Sequence, residues 1–383
     1  MKAKRKVIAD QPSWVVANRQ VELAVTELGG QMAPVRFCRD TGTPVQPYYI
    51  SPWQGEGLKI PDPVLVPLRG DFFCMPFGAP STHRGVSHVC HGEPATRKWR
   101  LAGVEARGDV TCLRMTMRTR KLAGKVTKRL SLVAGQNVVY VQHVLEGFSG
   151  ATSLGHHATL ALPEKQGAVR VATAPFRLGM TNPGAVGDPA ERQYQSLAVG
   201  KHFASLKKVP LLWKEPAFAD CTSFPARTGF TDLLGVFPKP SRTPAWTTAT
   251  VQEEGYLWFS LKDATVLPAT ILWISNRGRH NEPWNGRNRC LGLEEVCGYF
   301  ADGLADSARK NPLNEAGIPT TIRLSPKQAT AVNYIQGVAK VPRGFLCVRT
   351  ASFEPGAVTF TSVTGKKVTA KVHHEFLKTG KLR

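Results

Sequence analysis

The chain has few acidic residues, few cysteines, almost no helical periodicity and no long apolar run. Only 28 Asp and Glu stand against 50 Lys and Arg, a net charge of +22 over 383 residues. Such a field attracts anions, whether nucleic acid, acidic or phosphorylated sugars, or anionic surfaces. The positives are scattered, however, in short clusters over residues 2–6, 114–129 and 366–383, none interleaved with aromatics. They read as a solvated face, and nucleic-acid binding is not expected. The eight cysteines, at 38, 74, 90, 112, 221, 290, 297 and 347, form no CxxC and are too sparse for a disulfide scaffold. The basic start Met1-Lys-Ala-Lys-Arg-Lys6 meets Asp10, Gln11 and Pro12 rather than an apolar stretch. A signal peptide is therefore not expected, and no run approaches the ~20 residues of a membrane span. A reduced, cytoplasmic setting is expected. Serine-hydrolase, P-loop and Rossmann readings fail for want of GxSxG, GxxxxGK[ST] and a GxGxxG between strand and helix.

What is present is alternation. Val21, Leu23 and Val25 alternate with Glu22, Ala24 and Thr26, and Leu113, Met115 and Met117 with Arg114, Thr116 and Arg118. A strand built this way buries one face and wets the other. Residues 126–133 and 138–144, joined by Ala134-Gly-Gln-Asn137, predict a hairpin. Further strands are expected over 255–261, 269–275, 320–324, 345–351 and 358–363, and a short helix over 299–309. The 35 Gly and 28 Pro fall between these runs. Many short strands with little helix predict an all-β chain of stacked antiparallel sheets. A soft boundary lies near Pro342-Arg-Gly344, followed by a basic stretch read as a β-hairpin or tail.

Three separated segments carry chemistry. The first is Gly70-Asp-Phe-Phe-Cys-Met-Pro-Phe-Gly78, followed by His83, Arg84, His88, Cys90-His-Gly-Glu93 and Trp99. The second is Leu154-Gly-His-His-Ala-Thr-Leu-Ala-Leu-Pro163, and the third Cys290-Leu-Gly-Leu-Glu-Glu-Val296. Just before the third lies a Gly/Asn/Arg loop carrying Trp273, Trp284, Asn285 and Arg287. Sugar sites set aromatic faces against C–H patches and planar polar groups against hydroxyls, so Trp284, Asn285, Arg287 and also Trp53 are candidate cleft residues. For any one tryptophan, plain core packing is an equal reading. His83, His88, Cys90 and His91 admit a minority zinc reading, though their spacing fits no closed structural pattern. Alternation leaves open whether Glu294 or Glu295 faces a cleft.

In order and spacing the three segments resemble the aldose 1-epimerase (galactose mutarotase-like) superfamily, over roughly residues 20–335. The resemblance implies a large antiparallel β-sandwich over residues 1–340, with 341–383 as a C-terminal extension. It implies that His91, in the His-Gly pair, binds sugar, that His157 is the strand-borne acid and that Glu294, in Leu291-Gly-Leu-Glu294, is the base. Arg84 is the candidate for the family's arginine near the first histidine, and Asp232 for its third binding carboxylate. Thr159 stands where the family has an aromatic residue. Mutarotation opens a hemiacetal ring by moving one proton off the anomeric hydroxyl and another onto the ring oxygen, and it needs no metal or organic cofactor. Two functions follow as expectations: an epimerase acting on a monosaccharide or sugar derivative, for which the charge favours an anionic one, or a sugar-binding domain on the same scaffold without turnover.

Overall fold

Apolar runs with the strand period build two large antiparallel sheets. The computed structural model describes residues 3–382. Met1 and Lys2, part of the basic run at 2–6, and Arg383, the end of the basic tail, lie outside the described residues. The first large sheet has nine strands, in the order Ser223–Phe224, Val169–Thr173, Ala245–Val251, Tyr256–Lys262, Thr330–Lys340, Val138–Glu146, Gly124–Val133, Val110–Thr119 and Arg100–Arg107. The second has seven, in the order His202–Phe203, Phe176–Thr181, Phe230–Pro238, Ala269–Asn276, Arg289–Cys297, Leu154–Ala161 and Phe73–Cys74. The expected hairpin is present as Gly124–Val133 paired with Val138–Glu146. The expected helix shrinks to Leu304–Ala308, because Gly303 stands at its N-cap and the preceding residues close a turn. A smaller four-stranded sheet, Lys4–Ile8 to Met32–Arg36, covers one end.

The sheets stack face to face. Leu113, Met115, Leu130, Leu132, Val139 and Val141 of the first meet Ala158, Leu160, Leu272, Ile274, Leu291 and Leu293 of the second in one core. Central strands such as Tyr256–Lys262 and Ala269–Asn276 are buried along their whole length, because each has packed layers on both faces. The outer face of the nine-stranded sheet is covered by a three-stranded meander, Val348–Glu354, Ala357–Ser362 and Lys367–Lys371. Its Val358, Phe360 and Ala370 pack on Tyr140, Leu257, Phe259 and Ile335. The third strand was masked in the sequence by its lysines, since only Val368 and Ala370 of that strand turn inward.

The seven-stranded sheet places its two faces in different chemistry. Leu291, Leu293 and Glu295 point into the sandwich. There Glu295 pairs with Lys262 and accepts from Thr247 at 2.6 Å, Ser260 at 2.9 Å and Thr270 at 2.7 Å. A carboxylate and an ammonium can share such an interior only with this many partners. The opposite face is covered by loops that carry Trp53, Phe72, Phe77, Trp284 and Phe300. No helix among the described residues is long and apolar enough to cross a membrane, and all eight cysteines are free.

Candidate functional site

Two neighbouring strands set the centre of the site. Leu154–Ala161 pairs with Arg289–Cys297 so that His157 lies directly opposite Glu294 and His156 opposite Glu295. Residues facing each other across an antiparallel pair bring their Cβ atoms to within roughly 5 Å, close enough for side chains to touch. His157 Nε2 lies 3.2 Å from Glu294 Oε1, and His157 Nδ1 lies 3.1 Å from Thr159 Oγ1. Thr159 thus holds the imidazole from behind. Phe72 stacks on the same ring at 4.5 Å.

Burial sets the protonation of this pair. It pushes the Glu294 carboxyl well above its ordinary range. Burial, and next the nearby His91, pushes the His157 imidazole well below its own. Both directions favour a neutral acid beside a neutral base over an ion pair. Glu294 then donates its proton to Nε2, and the Nδ1–H donates to Thr159. Glu294 Oε2 is buried with no hydrogen-bond partner. The strand leaves room for this carboxylate at Gly292, where an added Cβ would stand 2.7 Å from Oε1 and 2.9 Å from Trp273 Cβ.

His91 arrives from a loop. It occupies the left-handed region at φ 56° and caps the short helix Gly92–Thr96. Gly92 follows with φ +73°, and a Cβ there would lie 2.0 Å from the Met75 carbonyl oxygen, so the glycine of the His-Gly pair is required by the close approach of two chain segments. His91 Nδ1 accepts the Gly78 N–H at 3.4 Å, which leaves Nε2 to carry the hydrogen. Burial pushes the imidazole pKa down to about 4, so at neutral pH His91 is an uncharged donor. Its ring stands edge-on to His157 at 5.0 Å.

These groups open into one cavity of about 440 Å³, lined among others by Phe72, His91, His157, Trp273, Trp284 and Glu294. That volume and its mix of aromatic walls and few polar groups suit a small polar ligand. Trp273 stands 5.6 Å from His157, and Trp284 stands 6.0 Å from Trp273. Asp62, Cys90, Asn182, Gln193, Arg279 and Asp302 complete the polar lining.

Many solved structures share this architecture. A galactose mutarotase-like protein from Clostridium acetobutylicum aligns over 88% of this chain and 98% of its own, with 12% identity and a TM-score of 0.59. A galactose mutarotase related enzyme from Lactobacillus acidophilus aligns over 86% and 99%, with 11% identity and a TM-score of 0.54. A candidate aldose 1-epimerase from Escherichia coli K12 aligns over 86% and 99%, with 15% identity and a TM-score of 0.53. The chain has the galactose mutarotase-like fold. No family model and no curated protein sequence matches it.

On this mutarotase-like scaffold the structure brings together His91, His157, Trp284 and Glu294 and resolves the Glu294/Glu295 alternative by register. It does not bring Arg84, Asn285 or Arg287 to the cavity wall. Arg84 is exposed at the tip of the hairpin Ser81–His83/Val86–His88. Asn285 is exposed on a turn at φ 47°. Arg287 is engaged by Glu56 through two hydrogen bonds of 2.5 and 2.6 Å. Asp232 caps the chain at Ser196 and Leu197, accepting from both backbone N–H groups and from the Ser196 hydroxyl. Trp53 stands behind Trp284, edge-on at 5.1 Å, and donates to the Leu65 carbonyl. His83 and His88 sit on the hairpin rather than with His91, and no cluster of three or more His, Cys, Asp or Glu able to hold a metal occurs among the described residues. The sequence reading did not single out Phe72, Asn182, Arg279 or Asp302. Phe72 lies within the first chemistry-bearing segment, but nothing local marks Asn182 at the end of its strand.

Proposed function

We propose that the chain is a cofactor-independent aldose 1-epimerase in which His157 and Glu294 act as one proton-shuttling unit. The observation that carries this is the unpartnered Oε2 of the cavity-lining Glu294, beside an Oε1 bonded to His157 Nε2. A pyranose placed there offers its anomeric O–H to Oε2. As that proton leaves O1, the proton shared by Oε1 and Nε2 passes to the ring oxygen, and the C1–O5 bond breaks. The pair gives one proton and takes one, so no net charge builds up in the buried site. The aldehyde rotates, the steps reverse on its other face, and the opposite anomer forms. The His91 Nε2–H steadies negative charge as it develops on oxygen.

A second reading, sugar binding without turnover, is favoured by the closed 3.2 Å contact, which a sugar must part to reach Nε2. Saturation-transfer NMR of α/β interconversion separates the two. Under the catalytic reading the wild type accelerates exchange, and Glu294→Gln, similar in size, lowers the rate by about 10²–10⁴-fold. Exchange unchanged in that variant removes the base. A wild type that binds a sugar at uncatalysed exchange supports the second reading.

A further inference from the structure

The loop after the strand Ala269–Asn276 and the strand that follows it carry four arginines, and three of them have carboxylate partners. Arg277 faces Glu164 at 3.7 Å, Arg287 holds Glu56, and Arg289 holds the same Glu164. The fourth, Arg279, lines the cavity. Among the described residues it makes neither an ion pair nor a side-chain hydrogen bond, and its Nε is buried with no partner.

Arg279 is also firmly held. Its carbonyl accepts the Gly286 N–H at 2.8 Å, and its backbone bridges to Gln193. Its guanidinium lies 5.0 Å from the centroid of the Trp284 ring. A guanidinium stays charged in a protein even where burial pushes its pKa down, as it does here. Arg279 is half-buried, so its charge is only partly hydrated and has no counter-ion, and a ligand that supplies an anion gains charge-assisted hydrogen bonds there. Asp62 and Asp302 line the same cavity, yet neither forms an ion pair with Arg279.

Position gives the anion its place on the ligand. From Arg279 the contacts run to Trp284, then Trp273, then His157, so two indoles form a wall that links the guanidinium to the His157–Glu294 pair. A pyranose laid along that wall with its anomeric carbon at Glu294 directs its far substituent to Arg279. We infer that the cavity selects a monosaccharide bearing a carboxylate or phosphate at the end opposite its anomeric carbon, bound by Arg279 stacked on Trp284. The orientation rests on the epimerase reading. The presence of an anion site does not.

Exchange rates and calorimetric binding of glucose, glucuronate and glucose 6-phosphate, and of the matching galactose series, test this in wild type, Arg279→Met and Arg279→Lys. The expected result is that one anionic class binds the wild type about 10–100-fold more tightly than its neutral parent, the worth of one or two charge-assisted hydrogen bonds. Arg279→Met, whose chain still covers Trp284, erases that preference, so that the ratio of anionic to neutral affinity falls to about one. Arg279→Lys restores part of it. The uronate and phosphate arms identify which anion is preferred. If no sugar exchanges faster in wild type but the anionic preference in binding is present and lost in Arg279→Met, the epimerase reading fails and the anion site stands. Equal binding of neutral and anionic sugars, or a preference that survives Arg279→Met, overturns the inference.

Discussion

The buried, uncharged state of His91 makes acid stability a direct probe of the site, independent of any substrate. An ordinary histidine titrates at 6.5, and burial brings His91 down to about 4. Above pH 6.5 both folded and unfolded chains carry a neutral imidazole, and the group costs nothing. Between pH 6.5 and 4 the unfolded chain takes up a proton that the folded chain refuses, so stability falls as the pH falls. Below pH 4 both forms are protonated and the loss levels off. At ~1.4 kcal/mol per pH unit the loss from this residue reaches about 3 kcal/mol, a ceiling because the ring borders an open cavity. His143 and His157 are lowered by burial in the same direction, so the measurement must be differential. His91→Asn suits it, because Asn accepts the left-handed conformation found at φ 56° and does not titrate. Urea unfolding of wild type and variant between pH 7.5 and 4 gives two profiles. Wild type is expected to lose about 3 kcal/mol more than the variant over that span, with equal urea m-values. Profiles parallel to within about 0.5 kcal/mol would refute the buried, neutral assignment and with it the donor role given to Nε2.

Two substitutions test the strand geometry. Gly292→Ala places a methyl 2.7 Å from Glu294 Oε1 and is expected to slow anomer exchange about 10–100-fold with little change in far-UV circular dichroism; a wild-type rate would show that the carboxylate position is not critical. Lys262→Met strands Glu295 as a buried charge and is expected to cost about 3–5 kcal/mol in chemical unfolding. The double change Lys262→Met with Glu295→Leu is expected to recover most of that loss, and a double variant no more stable than the single one would contradict the ion-pair account.

Period and spacing made the scaffold legible. The hairpin around Ala134-Gly-Gln-Asn137 could be read directly from its apolar runs and turn, whereas the strands bearing His157 and Glu294 were legible only through the family resemblance. The choice between Glu294 and Glu295 could not be made from alternation, since both faces of that sheet are buried and both tolerate a carboxylate with suitable partners. Register decides it, and register is a long-range property. The loop residues were harder for a related reason. Arg279, Arg287 and Asn285 are near neighbours of one composition, and only the positions of Glu56 and Trp284 separate a paired surface arginine from one turned into the cavity. Glu56 lies on a segment whose folding against the loop no local pattern encodes.

The adjacent pairs His156-His157 and Glu294-Glu295 show why such a site is built on strands. Successive strand residues point to opposite faces, so one registered strand pair supplies two polar contacts at once. Inside the sandwich, His156 meets Asp71 at 3.4 Å and Glu295 meets Lys262. Outside, His157 meets Glu294 and Thr159, with no cation on the pair and one carboxylate oxygen unpartnered. A one-residue slip would exchange the two sets. Slipped one way, Glu295 would face the cavity without Lys262 and Glu294 would be buried at the place of Leu293 without a cation. The interior ion pair therefore disfavours that slip and supports the register that aligns the outer pair, so a variant that loosens it should weaken the outer contact even though Lys262 does not border the cavity.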